Sequence, residues 1–326
     1  MINHPLEFEK PLVELEIELQ KLKDEIAAGD LNKQSEYARL EKRVAKMMTE
    51  VYGRLTPYQK VQLSRHLDRP FSLDYIKLIF TDFMEFHGDR LFRDDPAIVG
   101  GTAKLQGQPI MIVGHQRGRT TAERLHRNFG MPQPEGYRKA LRLFEMAAKF
   151  GLPLITFIDT AGAFPGIEAE ERGQAEAIAR NLRVLSELPT PVLAVVIGEG
   201  GSGGALALGV ADKVLMMENS CYSVISPEGC ASILWKVPEE EAAQYVPVAA
   251  EALKITAKDL KQAGIIDVIV PEPLGGAHRN HKEAAESLEA ALVRELKEVE
   301  ALPLSEMLDL RYKKFRSIGV FTGDRA

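Results

Sequence analysis

Apolar residues recur at alternating spacings of three and four in two stretches near the start of the chain. Leu12, Leu15, Leu19, Leu22 and Ile26 form the first set, within residues 11–28. Tyr37, Leu40, Val44, Met47 and Val51 form the second, after a break at Gly29-Asp30. That period puts one apolar stripe on each of two helices joined by a short turn. The seam is narrow and its flanks are heavily charged. The hairpin therefore reads equally as a docking element for a partner chain or as a cap on its own domain.

From about residue 72 the pattern becomes one of short apolar runs and helical segments. Residues 97–105 and 109–114 predict a strand pair turned at Gly107. Residues 138–150 predict a helix stopped by Gly151-Leu-Pro153. Buried strands are expected at 154–158, 191–197, 213–217 and 265–270, and helices at 168–188, near 202–210 and at 280–300. Fully apolar strands alternating with helices imply stacked β-α units with covered sheets. The tail after Leu310 is basic and reads as frayed or as an interface arm. The expected organisation is a helical hairpin and connector over 1–70, an α/β domain over 71–320 and a disordered tail over 321–326.

Composition excludes more than it assigns. The 326 residues are 45% hydrophobic and 27% charged, which suits a globular chain with a full core. A net charge of −6 argues against a nucleic-acid partner. No apolar stretch approaches the ~20 residues of a membrane span, and the first residues lack a signal-peptide pattern. The expectation is a cytoplasmic protein. Two cysteines, Cys221 and Cys230, supply neither a disulfide framework nor a zinc site of their own. No metal is expected in this chain.

Candidate chemistry concentrates at residues 195–209, where an apolar run meets five glycines within the seven residues 198–204. A strand that turns into a helix there exposes backbone N–H groups to a negative charge. Glycine lets a ligand approach the backbone closely. The run satisfies three patterns at once. Gly198-Glu-Gly200-Gly-Ser-Gly203 fits a dinucleotide fingerprint, with Glu218 twenty residues beyond Gly198. The helix that follows is short for a Rossmann crossover. Gly200-Gly-Ser202-Gly-Gly204 fits a nucleophile elbow, with Asp212, Asp259, Asp267, His278 and His281 downstream. So loose a match arises easily in a glycine-rich run, and Ser202 serves equally as a helix N-cap. In the third reading the amides form an oxyanion hole, facing a second loop at 159–166 that carries Ala161-Gly162-Ala163. Two tight turns without chemistry would look the same.

Longer motifs carry a resemblance. Ile158-Asp-Thr-Ala-Gly-Ala-Phe-Pro-Gly166, Glu170-Glu-Arg-Gly-Gln174, Gly198-Glu-Gly-Gly-Ser-Gly-Gly-Ala205 and the segment from Tyr222-Ser-Val-Ile-Ser-Pro-Glu-Gly229 to Trp235 resemble the carboxyltransferase α subunit family of bacterial and plastid-type acetyl-CoA carboxylase. Arg127-Asn-Phe-Gly-Met-Pro, Pro134-Glu-Gly-Tyr-Arg-Lys-Ala-Leu-Arg142 and Glu272-Pro-Leu-Gly-Gly-Ala-His-Arg279 are similar too. The resemblance runs from the hairpin to about residue 318. It implies a crotonase-like (ClpP-like) fold, a spiral of β-β-α units. It implies a β subunit in an α2β2 assembly, and that partner carries the zinc ribbon. It further implies a separate biotin carboxyl carrier protein and a biotin carboxylase that uses ATP. The implied reaction moves a carboxyl group from carboxybiotin to acetyl-CoA, giving malonyl-CoA for fatty-acid synthesis.

That reaction passes through two transient anions, one on the biotin ureido oxygen and one on the acetyl group. Each calls for preorganised donors, worth about 3 kcal/mol apiece. The liberated biotin nitrogen serves as the base, so no side-chain base is strictly required. The biotin-side hole is assigned to this chain: the amides of Gly201, Gly203 and Gly204, with Ala161 and Gly162 as the opposite wall. Phe164 and Ser202 are expected beside them. Arg172 is a candidate carboxylate clamp, or else a surface ion pair. Arg117 and Arg119, in the basic segment 115–124, attract CoA phosphates or the carrier domain, or else sit in a solvated loop. His115 and His126 are expected to serve packing or solvent. Ser226-Pro-Glu-Gly229 reads as a capped helix start that walls the site. Two other functions stay open. A self-sufficient crotonase-type acyl-CoA hydratase or decarboxylase would use Glu199 or Glu228 as acid or base. An NAD-dependent oxidoreductase would use the glycine run for dinucleotide.

Overall fold

The two central strands begin with apolar runs, Leu154–Ile158 and Val192–Ile197, broken only by Thr156, because both of their faces are covered. The computed structural model describes residues 4–236 and 239–319. Its eight strands are β1 Thr81–Glu85, β2 Ile98–Leu105, β3 Gln108–His115, β4 Leu154–Thr160, β5 Val192–Gly201, β6 Lys213–Met217, β7 Cys221–Ser223 and β8 Val268–Val270. They form one sheet in the order β1-β2-β3-β4-β5-β6-β8, with β7 paired to β5 off that path. The β1-β2 and β2-β3 pairs are antiparallel and all later pairs are parallel. Every residue of β4 is buried. Alternation then divides the core. Ile155, Phe157, Leu193, Val195 and Ile197 face one layer, completed by helix His281–Glu300. Leu154, Ile158, Val192, Ala194 and Val196 face the other, completed by helix Pro134–Phe150.

Local signals set the joints. Gly107, at φ +86°, turns β2 into β3, and Gly151, at φ +65°, ends helix Pro134–Phe150 in the left-handed conformation that a side chain would disfavour. Four expectations need correction. The helix expected over 168–188 is two, Ile167–Glu171 and Gln174–Glu187, broken at Gly173 with φ +82°. The strand expected to end at Ile197 runs on to Gly201, because Glu199, Gly200 and Gly201 pair with Cys221, Tyr222 and Ser223 of β7. The helix expected over 202–210 is the five-residue Ser202–Leu206. The basic tail is not frayed up to residue 317: it forms helix Leu304–Ser317. Arg311 of that helix is buried, paired with Asp212 at 2.7 Å and donating to the carbonyls of Leu185, Leu188 and Thr190. Residues 321–326 lie outside the described residues.

The hairpin is present as helices Lys10–Ala27 and Gln34–Tyr52, zipped by Leu12, Leu22, Leu40 and Val44. A buried polar cluster ties its base to the sheet. Glu9 accepts from His278 Nε2 at 2.9 Å and from the Tyr52 hydroxyl. Arg279 donates to Tyr52 at 3.0 Å and pairs with Glu16 at 2.7 Å. Among the described residues, no helix is long and apolar enough to cross a membrane.

Candidate functional site

The strand-to-helix turn after β5 and the loop after β4 are pressed against each other, which explains their small residues. A Cβ on Gly201 would lie 2.2 Å from the Ala161 carbonyl oxygen, and one on Gly204 would lie 2.6 Å from the Ala163 amide. Ser202 bridges strand and helix at φ +55°, with its side chain exposed. Ser202, Gly203 and Gly204 open the helix, so their amides have no intrahelical partner. A five-residue helix has little macrodipole, and these N–H groups are what the turn offers an anion. Gly201 is the last residue of β5, opposite Ser223. The Gly162 amide is engaged by Thr160 Oγ1 at 3.1 Å. Ala161 is exposed beside the turn.

A charged network lies behind the two loops. Asp159 Oδ1 accepts the Glu199 amide at 3.1 Å and Arg117 at 3.3 Å, so one carboxylate holds the first residues of both loops. Glu199 in turn takes Arg65 at 2.7 Å and Arg117 at 3.7 Å. Arg65 also reaches Glu228 at 2.7 Å, in the helix start that Ser226 caps through the Gly229 amide. Burial drives Asp159 above its ordinary value, against the pull of Arg117 and the Glu199 amide. Burial pushes Glu228 upward, but the hydrogen bond and charge of Arg65, with the helix-start amide and Ser226, together outweigh it and hold that carboxyl below its ordinary value. Burial lowers His115 to about 3, so this imidazole is neutral and carries no charge to the site.

The turn opens on two cavities. One of about 240 Å³ is lined by Ala161, Glu199, Gly201, Ser202, Arg65 and Ser226. The other, about 250 Å³, is apolar, with Leu206, Tyr222, Val224, Leu260 and Ile265 around Ser202 and Gly203. Phe164 is half-buried in the second loop, its carbonyl accepting from Gln174 at 3.0 Å. Arg172 pairs with Glu135 at 2.9 Å and lies over the Phe92 ring, away from both cavities. Arg119 pairs with Asp74 at 2.7 Å and stacks on Phe71. Arg65 carried no motif and was missed; only its partners reveal it.

The family is decided by comparison. The family model described as acetyl co-enzyme A carboxylase carboxyltransferase-like matches residues 5–319. The chain belongs to that family. The acetyl-coenzyme A carboxylase carboxyl transferase subunit alpha of Geobacter metallireducens is 58% identical over 98% of both chains. That of Thermus thermophilus is 52% identical over 97% of this chain and 99% of its own. Solved structures share the fold. The transcarboxylase 12S structure superposes with a TM-score of 0.53 at 20% identity, over 71% of this chain and 45% of that one. The geranyl-CoA carboxylase beta subunit of P. aeruginosa gives 0.55 at 18%, over 77% of this chain and 46% of that one. The crotonase-like fold implied by the motifs therefore stands.

The rival readings fare worse against the geometry. Glu199 and Glu228 are both committed to Arg65, which leaves neither free as an acid or base. Among the described residues no histidine or carboxylate hydrogen-bonds to Ser202, so a serine nucleophile lacks its base. For a dinucleotide, four of the six fingerprint residues lie inside β5 and the helix after it spans five residues. Glu9, His66 and His278 bring metal-ligating atoms within 4.8 Å of one another. Their ring nitrogens are engaged by protein groups: His66 by the His4 carbonyl and the Asp68 amide, and His278 Nε2 by Glu9.

Proposed function

We propose that this chain is the α subunit of a two-chain acetyl-CoA carboxyltransferase and that its glycine turn holds the biotin side of the reaction. The observation that carries the reading is the close apposition of the two small-residue loops, with Gly203, whose amide has no intrahelical partner, lining a cavity and Gly204 buried behind it. The Gly201 and Gly204 positions have no room for a Cβ, which keeps the backbone itself as the wall of the site. Carboxybiotin, delivered on a separate carrier protein, would supply the carboxyl group, and its ureido oxygen takes up negative charge as that group leaves. The amides of this chain donate to that oxygen from fixed positions and do not reorganise during the step. Gly201, Ala161 and Gly162 shape the wall, and Phe164 holds the second loop in place. Arg65, Arg117, Glu199 and Asp159 fix the spacing of the loops.

The acetyl-CoA side, the zinc site and the ATP-dependent carboxylation of biotin are assigned to other chains, the first two to a β partner. A crystal structure of the complex with biotin tests the assignment. The ureido oxygen is expected about 3 Å from the Gly203 or Gly204 amide. Biotin bound with that oxygen remote from the turn would refute it.

A further inference from the structure

Two fully buried side chains bring unpaired polar atoms to Gly204. His115 ends β3, and its Nδ1 accepts the Asp159 amide at 3.4 Å, at the start of the loop after β4. Burial keeps the imidazole neutral, so its single proton sits on Nε2. That N–H has no hydrogen-bond partner. The Gly204 backbone acts on the ring in the sense of an acceptor without completing a hydrogen bond. Tyr137, in helix Pro134–Phe150, approaches the same glycine. Its hydroxyl lies 2.8 Å from where a Gly204 Cβ would be, and it too is unpaired.

The Gly204 carbonyl is open to such donors. The Ala207 amide goes to Gly203 at 3.0 Å and the Leu208 amide to Ala205 at 3.2 Å, so among the described residues no backbone amide donates to Gly204. An N–H and a hydroxyl buried without partners cost free energy. Leucine and phenylalanine would fill the same space without that cost, so packing accounts for neither polar atom. The turn accounts for both. Its glycines leave the backbone free to move, and a helix of five residues cannot hold itself. Donor amides stabilise an oxyanion only from fixed positions. They must be fixed from outside the turn, and His115 is already tied to the opposite loop.

We propose that His115 and Tyr137 are positioning residues of the carboxyl-transfer site: the His115 Nε2–H and the Tyr137 hydroxyl hold the Gly204 peptide, and through it the first-turn amides, in the donating orientation. The inference rests on the function proposed above for the turn. Neither side chain touches the reacting atoms.

The test uses the full chain, alone and with the proposed β partner, as wild type and as Tyr137→Phe, His115→Leu and His115→Gln. The last returns a donor near the Nε2 position. Tyr137→Phe deletes an unpaired buried hydroxyl, so its Tm should hold or rise. Its kcat for biotin-dependent decarboxylation of malonyl-CoA should fall about tenfold with KM little changed. His115→Leu should lose at least as much, and His115→Gln should recover most of it. In the free chain, amide hydrogen exchange at Gly203 and Gly204 should quicken in Tyr137→Phe and His115→Leu and return toward wild type in His115→Gln. Wild-type kcat and exchange in Tyr137→Phe and His115→Leu, or losses that track Tm across the three variants, overturn the proposal. No turnover by the wild-type pair would instead refute the function proposed above, and exchange in the free chain would still decide whether these side chains hold the turn.

Discussion

At the residue scale, the glycines of the 198–204 turn are not equivalent. Gly204 is caught between the Ala163 amide at 2.6 Å and the Tyr137 hydroxyl at 2.8 Å, measured from a built Cβ. Gly203 meets only the Ile178 side chain, at 3.8 Å, and its φ is not positive. Gly204→Ala should therefore force the two loops apart, lowering Tm and cutting carboxyl transfer at least tenfold. Gly203→Ala should keep Tm within roughly a few degrees of wild type. Paired calorimetry and activity assays check the contrast; equal effects at both positions would remove the steric argument. The two loops were legible in sequence because their glycines are local. The network behind them was not: Arg65 and Glu199 lie 134 residues apart, and only the fold brings them to 2.7 Å.

At the element scale, long-range polar contacts decide what periodicity leaves open. The strand Lys213–Met217 lies where its apolar run predicts, since both of its covered faces demand apolar side chains. Periodicity does not reveal helix Leu304–Ser317 as ordered, because its anchor is one arginine whose partners are carbonyls more than a hundred residues away. Arg311→Ala strands Asp212 and three carbonyls, and should cost about 3–5 kcal/mol. Denaturant unfolding measures it.

The hairpin base has its own pH signature. Burial would raise Glu9, but hydrogen bonds from His278, Tyr52 and the Leu6 amide outweigh it and hold Glu9 at about 2, from an ordinary 4.5. A folded value below the unfolded one gives stability that is present above pH 4.5 and lost as pH falls toward 2. By linkage the shift is worth roughly 3 kcal/mol. His66, lowered by burial and by the neighbouring His278, adds loss in the same direction below its ordinary range. Glu9→Gln should flatten the fall in Tm between pH 6 and pH 3. An unchanged slope would show that the cluster does not titrate with folding.

At the scale of the whole molecule, the proposed function calls for a second chain. This chain has two small-residue loops pressed together, an arginine-held framework behind them and two cavities beside the glycine turn. Among its described residues the carboxylates nearest the turn, Glu199 and Asp159, are tied to arginine. Half of a centre is what a subunit of a two-chain carboxyltransferase should present. The measurement that tests this most directly is biotin-dependent decarboxylation of malonyl-CoA by this chain, by the proposed β partner, and by the two together. The account predicts turnover only in the mixture, abolished by Gly204→Ala. Full turnover by this chain alone would contradict it.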